Sequence, residues 1–433
     1  MTNNVEMINN KLMSNQSTTS TFRAFNNRNY SLFFAGQSIS QIGTWMQRTA
    51  VIWVIYSLTH SASMIGVAVF AQQFPSFLLS LIGGVVSDRY SRYKILIITQ
   101  TASMIQAILL AVLILTNNYV IWEILVLSAL LGIINAFDVP ARQPMIHDMV
   151  NDKADLANAI SLNSAMVNMA RLIGPALSGM VLEKLGAGVC FVINAVSFIA
   201  VIGSLLLMTF PEFKPPAIKK KVVHELAEGL TYLKQTPSIG ILIVLMLCMS
   251  LLILPYDTLE PVFAKVVFKG DARTYGYITG SIGAGALIGS FLLASVKKGT
   301  NFRKILLISI TVLGIGMISF SRMSQFAYAL PFAVILGLGS ITPMSTSITI
   351  IQMEAAPHMR GRVMSFIAMA FFGMLPLGSL LIGTVSQKIG APLTMLGQGV
   401  AALCIAGVFF NLLKFKREED PTIEIQEKLV TNN

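Results

Sequence analysis

Gly84-Val85-Val86-Ser87-Asp88-Arg89-Tyr90-Ser91-Arg92-Tyr93-Lys94 is a short polar stretch caught between two apolar runs, 64–86 and 95–115. Each run is close to the roughly 20 residues a helix needs to cross the hydrocarbon core of a bilayer. The stretch therefore reads as the turn of a helical hairpin at a membrane surface. Its residues have a physical logic of their own. Gly84 lets helices approach, Asp88 interacts favourably with the positive N-terminal end of a facing helix, and Arg89 and Arg92 can bridge to carboxylates on the same surface.

Working outward, the composition agrees. Hydrophobic residues make up 54% of the chain and charged residues 12%, with a mean hydropathy of +0.70, whereas a soluble domain carries roughly 25% charged residues. Further apolar runs lie at 30–58, 121–137, 160–182, 189–210, 239–259, 275–296, 305–320, 326–350, 363–386 and 392–415. The expectation is an all-α membrane protein of twelve transmembrane helices in two six-helix halves. Membrane strands are shorter, about 9–11 residues. The predicted division is a tail at 1–29, a first half at 30–210, a linker at 211–238, a second half at 239–415 and a tail at 416–433.

Orientation follows from the basic residues. With both termini inside, only six of the 31 Lys and Arg fall in external loops (Lys184, Lys265, Lys269, Arg273, Arg322 and Lys388), and Arg48 and Arg171 fall within spans. This is the positive-inside pattern. It assigns the net charge of +11 to topology at an anionic lipid surface, Lys219 to Lys221 included, and not to nucleic acid. The 1–29 segment lacks the apolar core of a secretory signal. After Pro211, Pro215 and Pro216, the linker places Val222, Val223, Leu226, Leu230 and Leu233 at helical spacing, which predicts an amphipathic surface helix.

The halves repeat weakly. Lys94-Ile95-Leu96 matches Lys304-Ile305-Leu306, Pro175 matches Pro376, and the offset carries Arg48 to within one residue of Asp257. Cys190, Cys248 and Cys404 sit in apolar runs without ligand or disulfide spacing, and His60, His147, His224 and His358 fall outside the spans. No metal, cofactor or catalytic constellation is expected, and the chain is not read as an enzyme.

The 84–94 stretch closely resembles the G-x-L-A-D-R-x-G-R-R signature of the major facilitator superfamily, with Ser91 where the family has glycine. Arg171-Leu172-Ile173-Gly174-Pro175-Ala176-Leu177-Ser178-Gly179 resembles the G-P-x-x-G-G core of its antiporter motif, with Ser178 for one glycine. Gly43 to Arg48, Asp138 to Gln143 and Arg360 to Ser365 tighten the likeness to the branch that holds macrolide-efflux proteins and the enterobactin exporter. The resemblance covers 25–415. It implies the major facilitator fold with pseudo-symmetric halves, and a latch of Gly84, Asp88, Arg89 and Arg92 against the start of the eleventh helix, just after Arg360-Gly361-Arg362. For Arg171, Gly174, Pro175 and Gly179 it implies a role typical of drug exporters. The basic residue that the family often carries in the fourth span is missing, with Ser128 near that place.

Two polar stripes mark candidate cavity walls. Gln37, Gln41, Thr44 and Arg48 share one face of the first helix, and Thr342, Ser345, Thr349 and Gln352 share one face of the tenth. Such stripes also glue helices together; the family resemblance favours the cavity. Arg48 and Asp257 each fall roughly 27 Å along helices that start inside, so they can meet as a gate pair, or Asp257 can carry a coupled proton. The expected function is proton-coupled efflux of an amphipathic small molecule, a drug or siderophore, by alternating access, from a multi-pass position in the cytoplasmic membrane. Import of a similar compound and a non-transporting receptor or scaffold stay open alternatives.

Overall fold

The structure is a computed structural model describing residues 22–117, 119–150, 152–210, 222–297, 300–356 and 359–418. The tails beyond these bounds, the linker prolines, Lys219 to Lys221 and His358 lie outside the described residues. The helices are α1 (Arg28–Thr59), α2 (Ala62–Arg89), α3 (Arg92–Leu115), α4 (Ile121–Asp148), α5 (Lys153–Leu185), α6 (Ala187–Leu206), a linker helix α7 (Val222–Gln235), α8 (Pro237–Val267), α9 (Ala272–Ala294), α10 (Phe302–Ser321), α11 (Phe326–Glu354), α12 (Arg360–Ile389) and α13 (Ala391–Glu418). No strand occurs among the described residues. In hydrocarbon only internally hydrogen-bonded backbone is viable, and long helices are the solution that this composition reaches.

Eleven of the helices are long and apolar enough to cross a bilayer. The twelfth spanning helix is α1. Its 32 residues extend ~48 Å, and its polar stripe lowers its hydropathy. The fold is the twelve-helix major facilitator arrangement in two related halves. In the first, α2 packs on α4 and α3 on α6; in the second, α9 packs on α11 and α10 on α13, the same pairs one repeat later. The turns agree: Gly186 (φ 84) and Gly390 (φ 87) end α5 and α12 with backbone that side-chain-bearing residues rarely adopt. Asp271 caps α9 by accepting from the Thr274 amide at 3.0 Å, and these hydrogen bonds hold its carboxyl below the usual range.

Buried polar bonds fix the first half internally. Asn194 of α6 donates to Gln47 of α1 at 2.8 Å, and Gln47 donates to Gln106 of α3 at 3.0 Å. Asp138 of α4 accepts from Thr99 and Gln100 of α3 and pairs with Arg142 at 2.6 Å. The linker helix lies on the second half. Tyr232 accepts from the Ala356 amide at 3.1 Å, and Glu228 pairs with Arg362.

The halves meet along two seams, α2 on α12 and α5 on α9, which exchange under the repeat. Both are closed toward the end of the bundle opposite the termini, called distal here; the other end is basal. The Ala62 amide donates to Gln387 at 2.8 Å, and a methyl on Gly383 would stand 2.6 Å from the Ala62 carbonyl oxygen. Gly383→Leu should therefore wedge this seam, at about 1–3 kcal/mol of overpacking. A maleimide that cannot cross membranes should label a cysteine at Ser63 several-fold faster in that variant than in the parent. Unchanged labelling would show that the seam tolerates the bulk.

Candidate functional site

The distal closure places a charged cluster between the halves. Arg48 of α1 donates to the Asp257 carboxylate of α8 at 3.2 Å, with the two side chains 29% and 32% exposed. Arg48 also lies over the Trp45 ring at 5.2 Å, and Arg171 of α5 lies over the same ring at 5.7 Å. A Trp face attracts guanidinium groups. Arg48 is thus engaged by a carboxylate and a ring face, and Arg171 by the same ring.

The antiporter-like segment builds that arrangement. A methyl on Gly174 would stand 2.5 Å from the Trp45 Cβ, so α5 lies directly against α1 there. On another face of α5, a methyl on Gly276 of α9 would stand 2.7 Å from the Pro175 carbonyl oxygen and 2.8 Å from the Gly179 Cα. Ser178, in the place of a family glycine, donates to the Met46 carbonyl at 3.1 Å. Arg171, Gly174, Pro175 and Gly179 therefore lie in contact with both α1 and α9.

Below the cluster, in the basal half, a cavity of about 670 Å³ lies between the halves, in the range of drug-sized sites. Ser345 and Thr349 of the predicted α11 stripe line it. Gln37, Gln41, Thr44 and Thr342 are not part of that wall, and Gln352 is exposed. Thr342 packs instead against Gly289 of α9. Its other polar contributors were not anticipated: Gln143 of α4, Asn163, Ser164 and Asn168 of α5, and Ser290 of α9. Their signal was present, because residues 163, 164, 167 and 168 share one helical face. None of the twelve lining residues is ionisable.

The predicted latch residues stand apart from α12. Asp88 and Arg89 are exposed, and Arg92 donates to Asp148 of α4 at 3.2 Å. No atom outside its own stretch of helix lies within 4 Å of a methyl built on Gly84; the close approach falls one residue earlier, where Gly83 meets the Ala136 carbonyl of α4. At the start of α12, Arg362 is held by Glu228 of the linker helix and Arg360 donates to the Ala355 carbonyl at 3.2 Å.

One acid escaped the sequence reading. The seventh span was expected to end at residue 259, which put Glu260 near its edge. The helix continues to Val267, and Glu260 is 3% exposed and accepts from Thr279 of α9 at 2.5 Å. The signal was the apolar run Val262 to Ala264 just beyond it.

A family model described as transmembrane secretion effector matches residues 19–433. The staphyloferrin A transporter of Staphylococcus aureus is 27% identical over 89% of this chain and 98% of its own length. The multidrug efflux pump Tap of Mycolicibacterium fortuitum is 23% identical over 87% and 94%, and macrolide efflux protein A of Streptococcus pyogenes is 23% identical over 86% and 93%. Among solved structures, a bacterial homologue of the human lysosomal transporter Spinster, inward-facing and unoccupied, superposes with a TM-score of 0.68 at 13% identity, covering 89% of this chain and 96% of that one. A POT family transporter in complex with 5-aminolevulinic acid superposes at 0.69 and 12% identity, covering 89% and 96%. At such identities the structures speak for the fold alone.

Arg48→Gln and Asp257→Asn should each lower the thermal stability of the purified protein, with the double change milder than the sum by about 0.5–3 kcal/mol. Strict additivity would mean that the 3.2 Å contact carries no energy.

Proposed function

Because this chain belongs to the transmembrane secretion effector family of the major facilitator superfamily, a membrane transporter, we propose that it exports an amphipathic compound of siderophore or drug size by alternating access, driven by inward proton movement. The observation that carries this reading is an amphipathic cavity of about 670 Å³ on the basal side of a closed distal seam. The excess of Lys and Arg in the basal loops supports a cytoplasmic basal side, with both termini inside and the cavity taking its ligand from the cytoplasm. The relatives, a staphyloferrin A transporter and two efflux proteins, point the same way.

In this mechanism the halves 30–210 and 239–415 rock about the cavity, and the segment 211–238 joins them. Arg48 and Asp257 are the distal gate. The pair is about a third wet, so its net worth is on the order of 1 kcal/mol, which ligand binding can outweigh. When the basal end closes, Asp88 reaches the N-terminal end of α12, whose helix dipole favours a carboxylate. Gln143, Asn163, Asn168, Ser290, Ser345 and Thr349 supply neutral donors and acceptors to a ligand with many polar groups.

The test compares metabolites inside and outside iron-limited cells with and without the protein. Loss of it should raise one compound several-fold in the cells and lower it in the medium, and a protonophore should reproduce the effect. Identical profiles would overturn export; export indifferent to the protonophore would overturn proton coupling. Asp88→Asn should slow export several-fold at normal abundance by favouring the basally open state. Unchanged export would remove Asp88 from the latch.

A further inference from the structure

Three acids are buried among the described residues: Asp138 at 2%, Glu260 at 3% and Asp155 at 7% exposure. Asp138 has Arg142 at 2.6 Å and Asp155 has Arg23 at 2.6 Å. Glu260 differs. Among the described residues no Lys, Arg or His lies within ion-pairing distance of it, and its hydrogen-bond partner is a neutral hydroxyl, Thr279 at 2.5 Å. That hydroxyl has one hydrogen and two claims on it, since it also lies 3.1 Å from the Tyr275 carbonyl. If Glu260 is ionised, Thr279 must choose between them. If Glu260 carries a proton, it donates to Thr279 Oγ1, and Thr279 donates to Tyr275; every group is then satisfied. An ionised carboxylate in hydrocarbon with one neutral donor carries a desolvation penalty that this bond does not offset.

The groups facing Glu260 sharpen the contrast with Asp257. The charges of Arg48 on α1 and Arg171 on α5 reach it, as does the like charge of Asp257 three residues back on α8. Tyr275 on α9 and Tyr256 on α8 complete the titratable surroundings, while Lys265 on the same helix is exposed. Asp257 is about a third exposed and already paired with Arg48. We propose that Glu260, and not Asp257, is the carboxyl that binds the transported proton, held here as the neutral acid against Thr279. This rests on the proton-coupled reading above. When the α1/α8 and α5/α9 contacts part, water reaches Glu260 and its proton exchanges with the distal solution.

Infrared difference spectra of the purified full-length protein, titrated from neutral to alkaline pH, read the C=O stretch of a protonated buried carboxyl directly. The expected result is a band at neutral pH that disappears on alkalinisation, survives in Asp257→Asn and is missing from Glu260→Gln. A band that persists in Glu260→Gln overturns the assignment. Should that variant fold poorly, Thr279→Val supplies a second reading. Losing the oxygen to which the neutral acid donates should shift both the frequency of the band and its titration midpoint, and a band unmoved in both overturns the assignment equally. A second arm follows export of the compound found by the metabolite comparison at two external pH values. Glu260→Gln should flatten the pH dependence seen in the parent; a retained dependence overturns the coupling role. A parent whose export ignores pH overturns proton-coupled export itself, and the band then decides alone whether Glu260 binds a proton.

Discussion

Backbone lying on backbone at the two seams is the contact on which the rest of the arrangement depends. Lipid tails are as apolar as leucine, so nothing drives helices together in the membrane except packing and a few hydrogen bonds. Small residues are what permit that packing. On α2 and α12, Gly66 faces the Ser379 carbonyl and Gly383 faces the Ala62 carbonyl; on α5 and α9, Gly179 and Gly276 face each other. Each seam gathers its closest contacts in the distal and middle turns. Toward the basal end the cavity lies between α5 and α9, lined there by Asn163 and Asn168 and by Ser290 and Ala294.

The charged cluster depends on the same packing. Trp45 stands between two guanidinium groups because Gly174 leaves room for its Cβ on the α5 side. A larger residue there would collide with the Trp45 Cβ and with the α1 backbone at Ile42 and Met46. Motif and charge pair are thus one assembly, although they are 78 residues apart at their nearest members, Gly179 and Asp257. Nearby, Trp53 of α1 stacks on Tyr275 of α9 at 5.8 Å, adding an apolar contact across the same junction. The distal end is closed by geometry first, and charge adds a modest increment.

Twelve spans, two related halves and the meeting of Arg48 with Asp257 were legible in the sequence, because hydropathy reports burial in lipid and a charge within a span demands a partner. Gln37 is expected at the cavity from its place on a polar face, and in this state it is buried at 3%. A stripe fixes which face is polar; it does not say whether a neighbouring helix or water covers that face. Asn163 and Asn168 carry the converse lesson: isolated amides on a basal turn look like surface residues until a facing helix, here α9, encloses the space before them. Glu260 was misplaced because a charge at a span's edge looks like its end. Only tertiary contact, the α9 hydroxyl at 2.5 Å, shows that the helix carries the acid inside.

The acids lie where the helix hydrogen-bond ladder is broken, and the break has identifiable causes. Within α8, residues 249–253 and 263–267 are wound as π-helix and 254–259 as 3-10 helix. Pro255 and Pro261 lack the amide that an α-helix would donate at those positions, and Pro255 itself leaves helical geometry (ψ 20). Within the break a neighbour supplies donors: Gln398 of α13 donates to the Leu252 carbonyl at 3.0 Å and to the Ile253 carbonyl at 3.2 Å. Such breaks recur at functional sites because a loosened ladder bends at low cost. Here the bend is braced on the α13 side and carries Asp257 toward α1 and Glu260 toward α9. A straight α8 would keep Asp257 and Glu260 about 300° apart, on nearly adjacent faces. In 3-10 winding side chains three residues apart eclipse, so the two acids share one side of α8, from which Asp257 reaches Arg48 of α1 and Glu260 reaches Thr279 of α9.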